Sequence, residues 1–212
     1  MYSTKTATTN NTEFNSSYMP VGINENITLK EVNVNKTQNG RDFLEIIFEN
    51  ANGQTATMTE WKNEKNQWVV TDADLQKRDD QQFGRILQVI DAVSSIGHND
   101  FEGSSFVEMI TWVKQQLDLA VNNNESNHVR LKVTYDKNGY TQVSKNGIFI
   151  EDMGVAKEES QIKLWKNDLT ERPVKADDEK ANDPLAPTST PVTETTDTVK
   201  ESVSTGADDL PF

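Results

Sequence analysis

Apolar side chains recur at every second position over residues 27–34, 43–48 and 55–61. Alternation of this kind is typical of a strand with one buried face, so three strands are predicted. Within the first of them the phase of the alternation reverses, which indicates a β-bulge near Lys30-Glu31. Asn-Gly pairs follow the first two strands, and this dipeptide favours tight hairpins. The pattern therefore predicts an antiparallel meander of three strands.

A helical period of 3.6 replaces the alternation in the middle of the chain. Apolar residues recur at this spacing over residues 83–96, and Asp79-Asp80 lie upstream, where they would cap and favour the N-terminus of a helix. The motif Ser105-x-x-Glu108 has the spacing of a capping box and predicts the start of a second helix. Together the two helices are predicted to form an insertion over about residues 72–121.

Strand-type alternation returns at residues 129–135, with Arg130 and Lys132 predicted to face outward. Asn138-Gly139 then turns the chain into a last strand that ends near the apolar run at 148–150, while the following stretch is compatible with a short helix or a packed strand. Three strands, a helical insertion and a two-stranded hairpin follow the order of the OB-fold, although other small barrels can share it. The sequence thus predicts a mainly β domain over residues 21–168: a five-stranded OB-fold barrel with a two-helix insertion between strands 3 and 4.

Hydrophobic periodicity is absent from both ends of the chain. Residues 1–20 are rich in Thr, Asn and Ser and are predicted to form a flexible N-terminal arm. Residues 169–212 place prolines among Thr, Glu, Asp and Lys, which predicts a disordered acidic tail. The tail finishes with two carboxylates and an apolar group beside the terminal carboxylate, in the order Asp208, Asp209, Leu210, Pro211, Phe212. Such a tethered segment is expected to dock on a partner.

This ending resembles that of bacterial and phage single-stranded DNA-binding proteins, which finish in acidic residues followed by an aliphatic residue, proline and phenylalanine. The resemblance covers the tail tip by residue and residues 21–150 by topology, and the two-helix insertion is larger than the family's usual single helix. It implies a non-catalytic protein that binds and protects single-stranded DNA in phage or bacterial replication, recombination and repair, in the cytoplasm of the (host) cell. It also implies that the tip recruits replication and recombination proteins.

Composition and charge narrow the classes of function. The chain has 212 residues, a net charge of -13 and no cysteine, which removes disulfides and thiolate chemistry and fits an intracellular protein. Neither a signal peptide nor an apolar run of the roughly 20 residues needed to cross a bilayer is readable, so no membrane partner is expected. Residues 67–126 carry 4 basic and 10 acidic residues, whereas the strand segments 27–66 and 127–150 together carry 9 and 7. A weakly cationic sheet is consistent with binding that depends on stacking more than on charge.

Aromatic and basic residues are interleaved on the predicted strands and loops. Stacking of a base on an aromatic ring contributes roughly 1–3 kcal/mol irrespective of sequence, and about 8 kcal/mol corresponds to micromolar binding. For each aromatic residue the alternative is packing in the core, and for each cation it is a solvated sheet face. As a set, the residues predicted to bind DNA are Lys30, Lys36, Arg41, Phe43, Trp61, Lys62, Lys65, Trp68, Arg130, Lys132 and Tyr140.

Enzyme functions find little support in the sequence. The two histidines, His98 and His128, lie in polar stretches without a ligand pattern, and phosphate-binding, dinucleotide-binding and Gly-x-Ser-x-Gly motifs are missing. Asp79-Asp80 and Glu151-Asp152 are candidates for a metal-dependent nuclease pair, but helix capping and a strand-end turn explain them more simply. No catalytic residue, metal or cofactor is predicted. The rival from another class is an interaction adaptor whose OB-like barrel does not bind nucleic acid.

Overall fold

The computed structural model of the protein describes residues 17–123 and 126–173. This part of the chain is mainly β, and both helices lie between the third and fourth strands, as predicted. Neither of the two helices described combines the length and the apolarity required for a membrane span. The tail tip, residues 208–212, lies outside the described residues. In chain order the elements are β1 (Gly22–Lys36), β2 (Asp42–Glu49), β3 (Thr55–Trp61), α1 (Asp72–Val93), α2 (Phe106–Asn122), β4 (Val129–Tyr135), β5 (Thr141–Val143) and β6 (Ile150–Asp152).

The strands form one antiparallel sheet in the order β3-β2-β1-β4-β5, and β6 also pairs with β4. β1 is shared, because residues 22–27 pair with β4 and residues 28–36 pair with β2. Where one last strand is predicted, the structure has two short ones, since the turn at 144–149 separates β5 from β6. Among the strands described, no ladder joins β3 to β5, the step that would close a barrel.

The predicted bulge in β1 is confirmed. Leu29 lies opposite Phe48 and Glu31 lies opposite Ile47, so Lys30 is the extra residue in the ladder. Because Lys30 is an extra residue, Leu29 before the bulge and Val32 after it are both buried in the core, as the change of phase in the sequence predicts. A second irregularity separates Asn24 from Ile27 at the point where β1 changes its partner strand.

The core lies between the inner face of the sheet and the two helices. In β2 the predicted inward residues Leu44, Ile46 and Phe48 are fully buried. The predicted N-terminal arm is too long, because Met19 is also fully buried and its N–H donates to the Thr55 carbonyl at 2.9 Å. The folded domain therefore begins before residue 21. The helices contribute Ile86, Val89, Ile90, Val93, Ile110, Val113 and Leu117 to this core.

α1 begins about two turns earlier than Asp79-Asp80 suggested. The hydroxyl of the N-cap residue Thr71 accepts from the Asp74 N–H at 3.1 Å, and the Asp74 carboxylate accepts from the Thr71 N–H. This reciprocal pair is a capping box with aspartate at its third position. Asp79-Asp80 consequently lie inside the helix and do not cap it. Ile96, which the pattern placed on the helix, lies beyond its end and is exposed.

α2 begins at the capping box that the sequence predicted. Ser105 is the N-cap residue, and its hydroxyl accepts from the Glu108 N–H at 3.2 Å. The Glu108 carboxylate in turn accepts from the backbone N–H groups of Ser104 at 2.8 Å and Ser105 at 3.2 Å. These bonds, that from Ser104 above all, hold the pKa of the Glu108 carboxyl below its usual value. The start of this helix could be predicted from the sequence because the residues that fix it lie within four positions of one another.

Residues 153–173, which we call the strap, form neither the helix nor the strand that were alternatives for part of this stretch. Ile162 is buried, and the Tyr135 N–H donates to the Leu169 carbonyl at 2.8 Å. Lys163 also accepts a bond from β4 through its carbonyl. As a result every residue from Val129 to Thr134 is buried, so β4 has no solvated face. Because Leu169 is hydrogen-bonded to β4, the domain extends past its predicted end at residue 168.

Candidate nucleic-acid interface

Phe43 and Trp61 lie side by side on the outer face of the sheet. They are directly opposite in the β2–β3 ladder, and their rings stack with centroids 4.5 Å apart and planes inclined by 28°. Arg41 places its guanidinium 5.2 Å from the centre of the Trp61 ring, a cation–π distance. We call these three residues the aromatic platform. All three belong to the set predicted from the sequence, and the structure brings them together.

Hydrogen bonds on two sides hold the platform in place. Arg41 Nη2 donates to the Lys62 carbonyl at 3.2 Å, which links the β1–β2 hairpin to the end of β3. Behind the sheet, Gln82 Nε2 on α1 donates to the Trp61 carbonyl at 2.9 Å. Trp61 nevertheless keeps 37% of its surface exposed, while Phe43 is half-buried. The platform is therefore an ordered aromatic surface that is partly exposed to solvent.

A buried ion-pair network beneath the platform was missed in the sequence. Glu60 is buried on the inner face of β3, where it meets Arg85 Nη2 at 3.2 Å and Lys145 Nζ at 3.3 Å. Gln82 also donates to this carboxylate, at 2.7 Å. The network joins β3 to α1 and to the turn after β5. One feature of the sequence could have revealed this network: Glu60 has the same phase in the alternation of β3 as the buried residues Ala56 and Met58.

The predicted lysines on this side of the sheet are exposed, but most of them face carboxylates. Lys36 lies 3.3 Å from Asp42, and Lys65 lies 2.6 Å from Asp72. Lys62 is exposed and forms no ion pair within the described residues. Exposed pairs contribute about 0–1 kcal/mol each, so phosphate groups can replace the carboxylates at little cost.

The far end of the outer face has a different charge. Going away from the platform, the outward positions include the carboxylates of Glu45, Glu31 and Glu49. Lys30, at the bulge, pairs with Glu49 at 2.5 Å and does not offset the other two. Cationic and aromatic groups are therefore concentrated at the end of the sheet near the β1–β2 hairpin, and the opposite end repels phosphate.

Trp68 and Tyr140 are the most exposed of the predicted aromatic residues, at 78% and 65%. Each sits on an ordered turn: the Trp68 N–H donates to Asn66 Oδ1 at 2.8 Å, and the Tyr140 N–H donates to Asp136 Oδ1 at 2.8 Å. The latter bond is the main cause of a lowered pKa of the Asp136 carboxyl. No ring contact joins either residue to the platform within the described part of the chain.

Lys132 was predicted on an outward face, and this prediction is wrong. Its side chain is fully buried under the strap, where Nζ donates to Asp168 Oδ2 at 3.0 Å and to the carbonyls of Asn146 at 2.8 Å and Lys163 at 3.1 Å. Burial raises the pKa of the Asp168 carboxyl, but bonds from the Trp165 N–H, Asn146 and Lys132 outweigh burial and lower it overall. Lys132 thus anchors the strap and offers nothing to a ligand.

Arg130 is likewise a structural residue, so its predicted role as an exposed contact is also wrong. It is 4% exposed, its Nε lies 3.3 Å from Glu25, and its Nη1 donates to Glu151. The hydrogen bond with Glu151 raises the pKa of the Arg130 guanidinium, against the lowering effect of burial. Alternation assigned both cations to solvent because it assumes one open face, and β4 has none.

Carboxylate pairs that suggested a nuclease are engaged within the protein. Asp79 accepts from Asn63 Nδ2 at 2.9 Å, and Glu151 is bound to Arg130. His98 contacts Asp91 at 2.6 Å. Over residues 17–123 and 126–173 no three His, Asp or Glu side chains come together as a metal-binding group.

Sequence comparisons assign no function to this site. No protein-family model matches the chain. No curated protein is significantly similar to it in sequence. No residue role can be transferred from a relative, so the function is argued from the platform and the charges around it.

Proposed function

We propose that the protein binds single-stranded DNA without sequence preference and that the aromatic platform is its principal contact. The observation that carries the proposal is the Phe43–Trp61 stack with Arg41 beside it, ordered and accessible at the cationic end of the sheet. Aromatic rings that accept any base, together with cations that follow the backbone, are the combination that non-specific single-strand binders use.

The energetics of this site favour stacking over charge. Two bases stacked at the platform contribute roughly 1–3 kcal/mol each. A few phosphate contacts from Arg41, Lys62 and Lys36 raise the total toward the roughly 8 kcal/mol of micromolar binding. Three such contacts on a single strand give a slope of about -2 for log affinity against log salt. The protein is therefore expected to bind with a shallow dependence on salt.

We also propose that the sheet is an OB-fold. Supporting features are the shared strand β1, the helices between β3 and β4, and Lys145, which donates to the Thr59 carbonyl from the turn after β5. In an OB-fold the second and third strands carry the oligonucleotide site, and the platform lies on β2 and β3. Fold alone does not fix function, so this agreement adds to the proposal and does not carry it.

The biological role that we propose is to coat and protect single strands during phage or bacterial replication, recombination and repair. Residues 208–212 would recruit proteins of these processes. Burial of Phe212 in an apolar pocket would contribute roughly 1.5–3 kcal/mol, and Asp208 and Asp209 would meet basic groups at its rim.

Fluorescence anisotropy of labelled oligo-dT, with duplex of the same length as competitor, tests the proposal. Single strands should bind more tightly than duplex, and Trp61→Ala should weaken binding by 1–3 kcal/mol, roughly 5- to 150-fold. Trp165→Ala is the matched control, since Trp165 is 56% exposed on the strap and should not affect affinity. Equal preference for duplex, or no binding at low salt, would instead support the interaction adaptor.

A further inference from the structure

A cleft of about 510 Å³ opens between the N-terminal halves of α1 and α2. Phe83 and Phe101 form part of its wall. The Phe101 ring also stacks on Trp112 with centroids 5.0 Å apart, and the Phe83 ring lies 5.8 Å from both of these rings. The apolar residues that line the cleft, all of them half-buried, are Leu75, Phe83, Phe101, Phe106 and Met109. A cleft of this size whose wall is partly apolar and partly polar can hold a side chain of a partner together with the charged groups beside it.

Three carboxylates stand around the cleft. Asp79 and Asp80 come from α1, and Glu102 comes from the loop before α2. Asp79 and Asp80 accept hydrogen bonds from the neutral side chains of Asn63 and Gln76. None of the three carboxylates forms an ion pair within the described residues. The cleft therefore combines a net negative charge with a partly aromatic and aliphatic wall, and Lys62 is the cation at one edge.

We propose that this cleft binds a cationic segment of a partner protein that inserts an aromatic or aliphatic side chain. Charge complementarity selects this occupant. The protein's own tail carries 3 basic and 9 acidic residues over 174–212, and a second copy of the chain carries a net charge of -13, so the rim repels both. Phosphate groups of nucleic acid are repelled for the same reason. The proposal does not depend on DNA binding at the platform.

The position of the cleft suggests why such a partner would matter. Asn63 bonds to Asp79 at 2.9 Å and to Gln82 at 3.2 Å, and it follows directly on Lys62, whose carbonyl holds Arg41 of the platform. A partner segment seated against α1 therefore lies next to the loop that follows β3, the strand that carries Trp61 of the platform. The two sites are separate surfaces that share one loop.

The full-length protein can be tested with a fluorescein-labelled peptide in which lysines alternate with leucine around one phenylalanine. A second peptide keeps the lysines and has serine at the apolar positions. The first should bind about tenfold more tightly than the second if an apolar anchor enters the cleft. The double variant Asp80→Asn with Glu102→Gln should weaken the first peptide about tenfold.

The matched control is Glu158→Gln with Glu159→Gln, which removes the same charge from exposed positions on the strap. This double variant should bind the first peptide as the unmodified protein does. Equal losses in the two double variants, or equal affinity for the two peptides, would show general attraction to an acidic protein and overturn the proposal. A drop in oligo-dT affinity in the Asp80 and Glu102 variant would also overturn it, because that outcome would make the cleft a nucleic-acid site.

Discussion

Replacing Lys132 with methionine should destabilise the protein and leave the proposed binding of DNA unchanged. The substitution keeps the length of the side chain but removes the charge that faces Asp168 and the donors to the carbonyls of Asn146 and Lys163. Removing one partner of a buried ion pair costs about 3–5 kcal/mol, because the remaining charge stays buried without compensation. The orphaned carbonyls account for part of that loss, since each unsatisfied buried group costs about 1–3 kcal/mol.

This magnitude is a large share of the stability of a domain, about 5–15 kcal/mol. Urea denaturation followed by circular dichroism measures the loss in the free energy of unfolding directly. In thermal unfolding, Tm should fall by about 6–20 °C for a chain of this size. Lys62→Met is the control, since Lys62 is exposed and its loss should change stability by no more than about 0.5 kcal/mol.

The two variants should also separate in DNA binding. Folded Lys132→Met protein should retain the affinity of the unmodified protein for oligo-dT, whereas Lys62→Met should weaken it. The opposite pattern, in which Lys132→Met is as stable as the control and has lost DNA affinity, would refute the assignment of Lys132 to the strap. That result would restore the outward orientation that the sequence suggested.

Three further changes follow from the structure. Ser105→Ala removes the N-cap of α2 and should cost about 1 kcal/mol, measured as a decrease in Tm; Ser95→Ala, at an exposed position just after α1, should be near neutral. The pKa of Asp168 is lowered by folding, so its contribution to stability is complete at pH above the unfolded value of about 3.9 and is lost as pH falls through the folded pKa. Urea midpoints between pH 7 and pH 2 should show this loss, and Asp168→Asn should flatten the curve. Deleting residues 174–212 removes a net charge of -6, whose carboxylates we expect to compete with DNA for the platform, so the deletion should tighten oligo-dT binding at low salt. It should also abolish the recruitment of partners through residues 208–212. Unchanged DNA affinity would mean that the tail does not compete for the platform.

The features that the sequence predicted correctly are determined by neighbouring residues. The bulge at Lys30 follows from a change of phase within one strand, and the start of α2 follows from Ser105 and Glu108 alone. The contact between Phe43 and Trp61 could also be predicted from the sequence, because alternation and a short hairpin together fix which residues lie opposite each other in β2 and β3.

Features that depend on distant segments could not be predicted in the same way. Arg130 and Lys132 alternate with apolar residues as on any half-exposed strand, and only the strap, which has no periodicity, reveals that they are buried. The start of α1 was misplaced for a different reason. Thr71 and Asp74 form a capping box with aspartate in place of the usual glutamate or glutamine, so Asp79-Asp80 gave the more familiar signal.

Photocrosslinking of oligo-dT that contains 5-iodouracil, followed by peptide mapping, tests most directly whether the platform binds single-stranded DNA. Iodouracil reacts with aromatic side chains in contact with the base, so crosslinks should map to Phe43 and Trp61. They should disappear when unlabelled oligo-dT is added in excess. Crosslinks confined to Trp165 or to Phe101, with none on β2 and β3, would contradict the proposed interface.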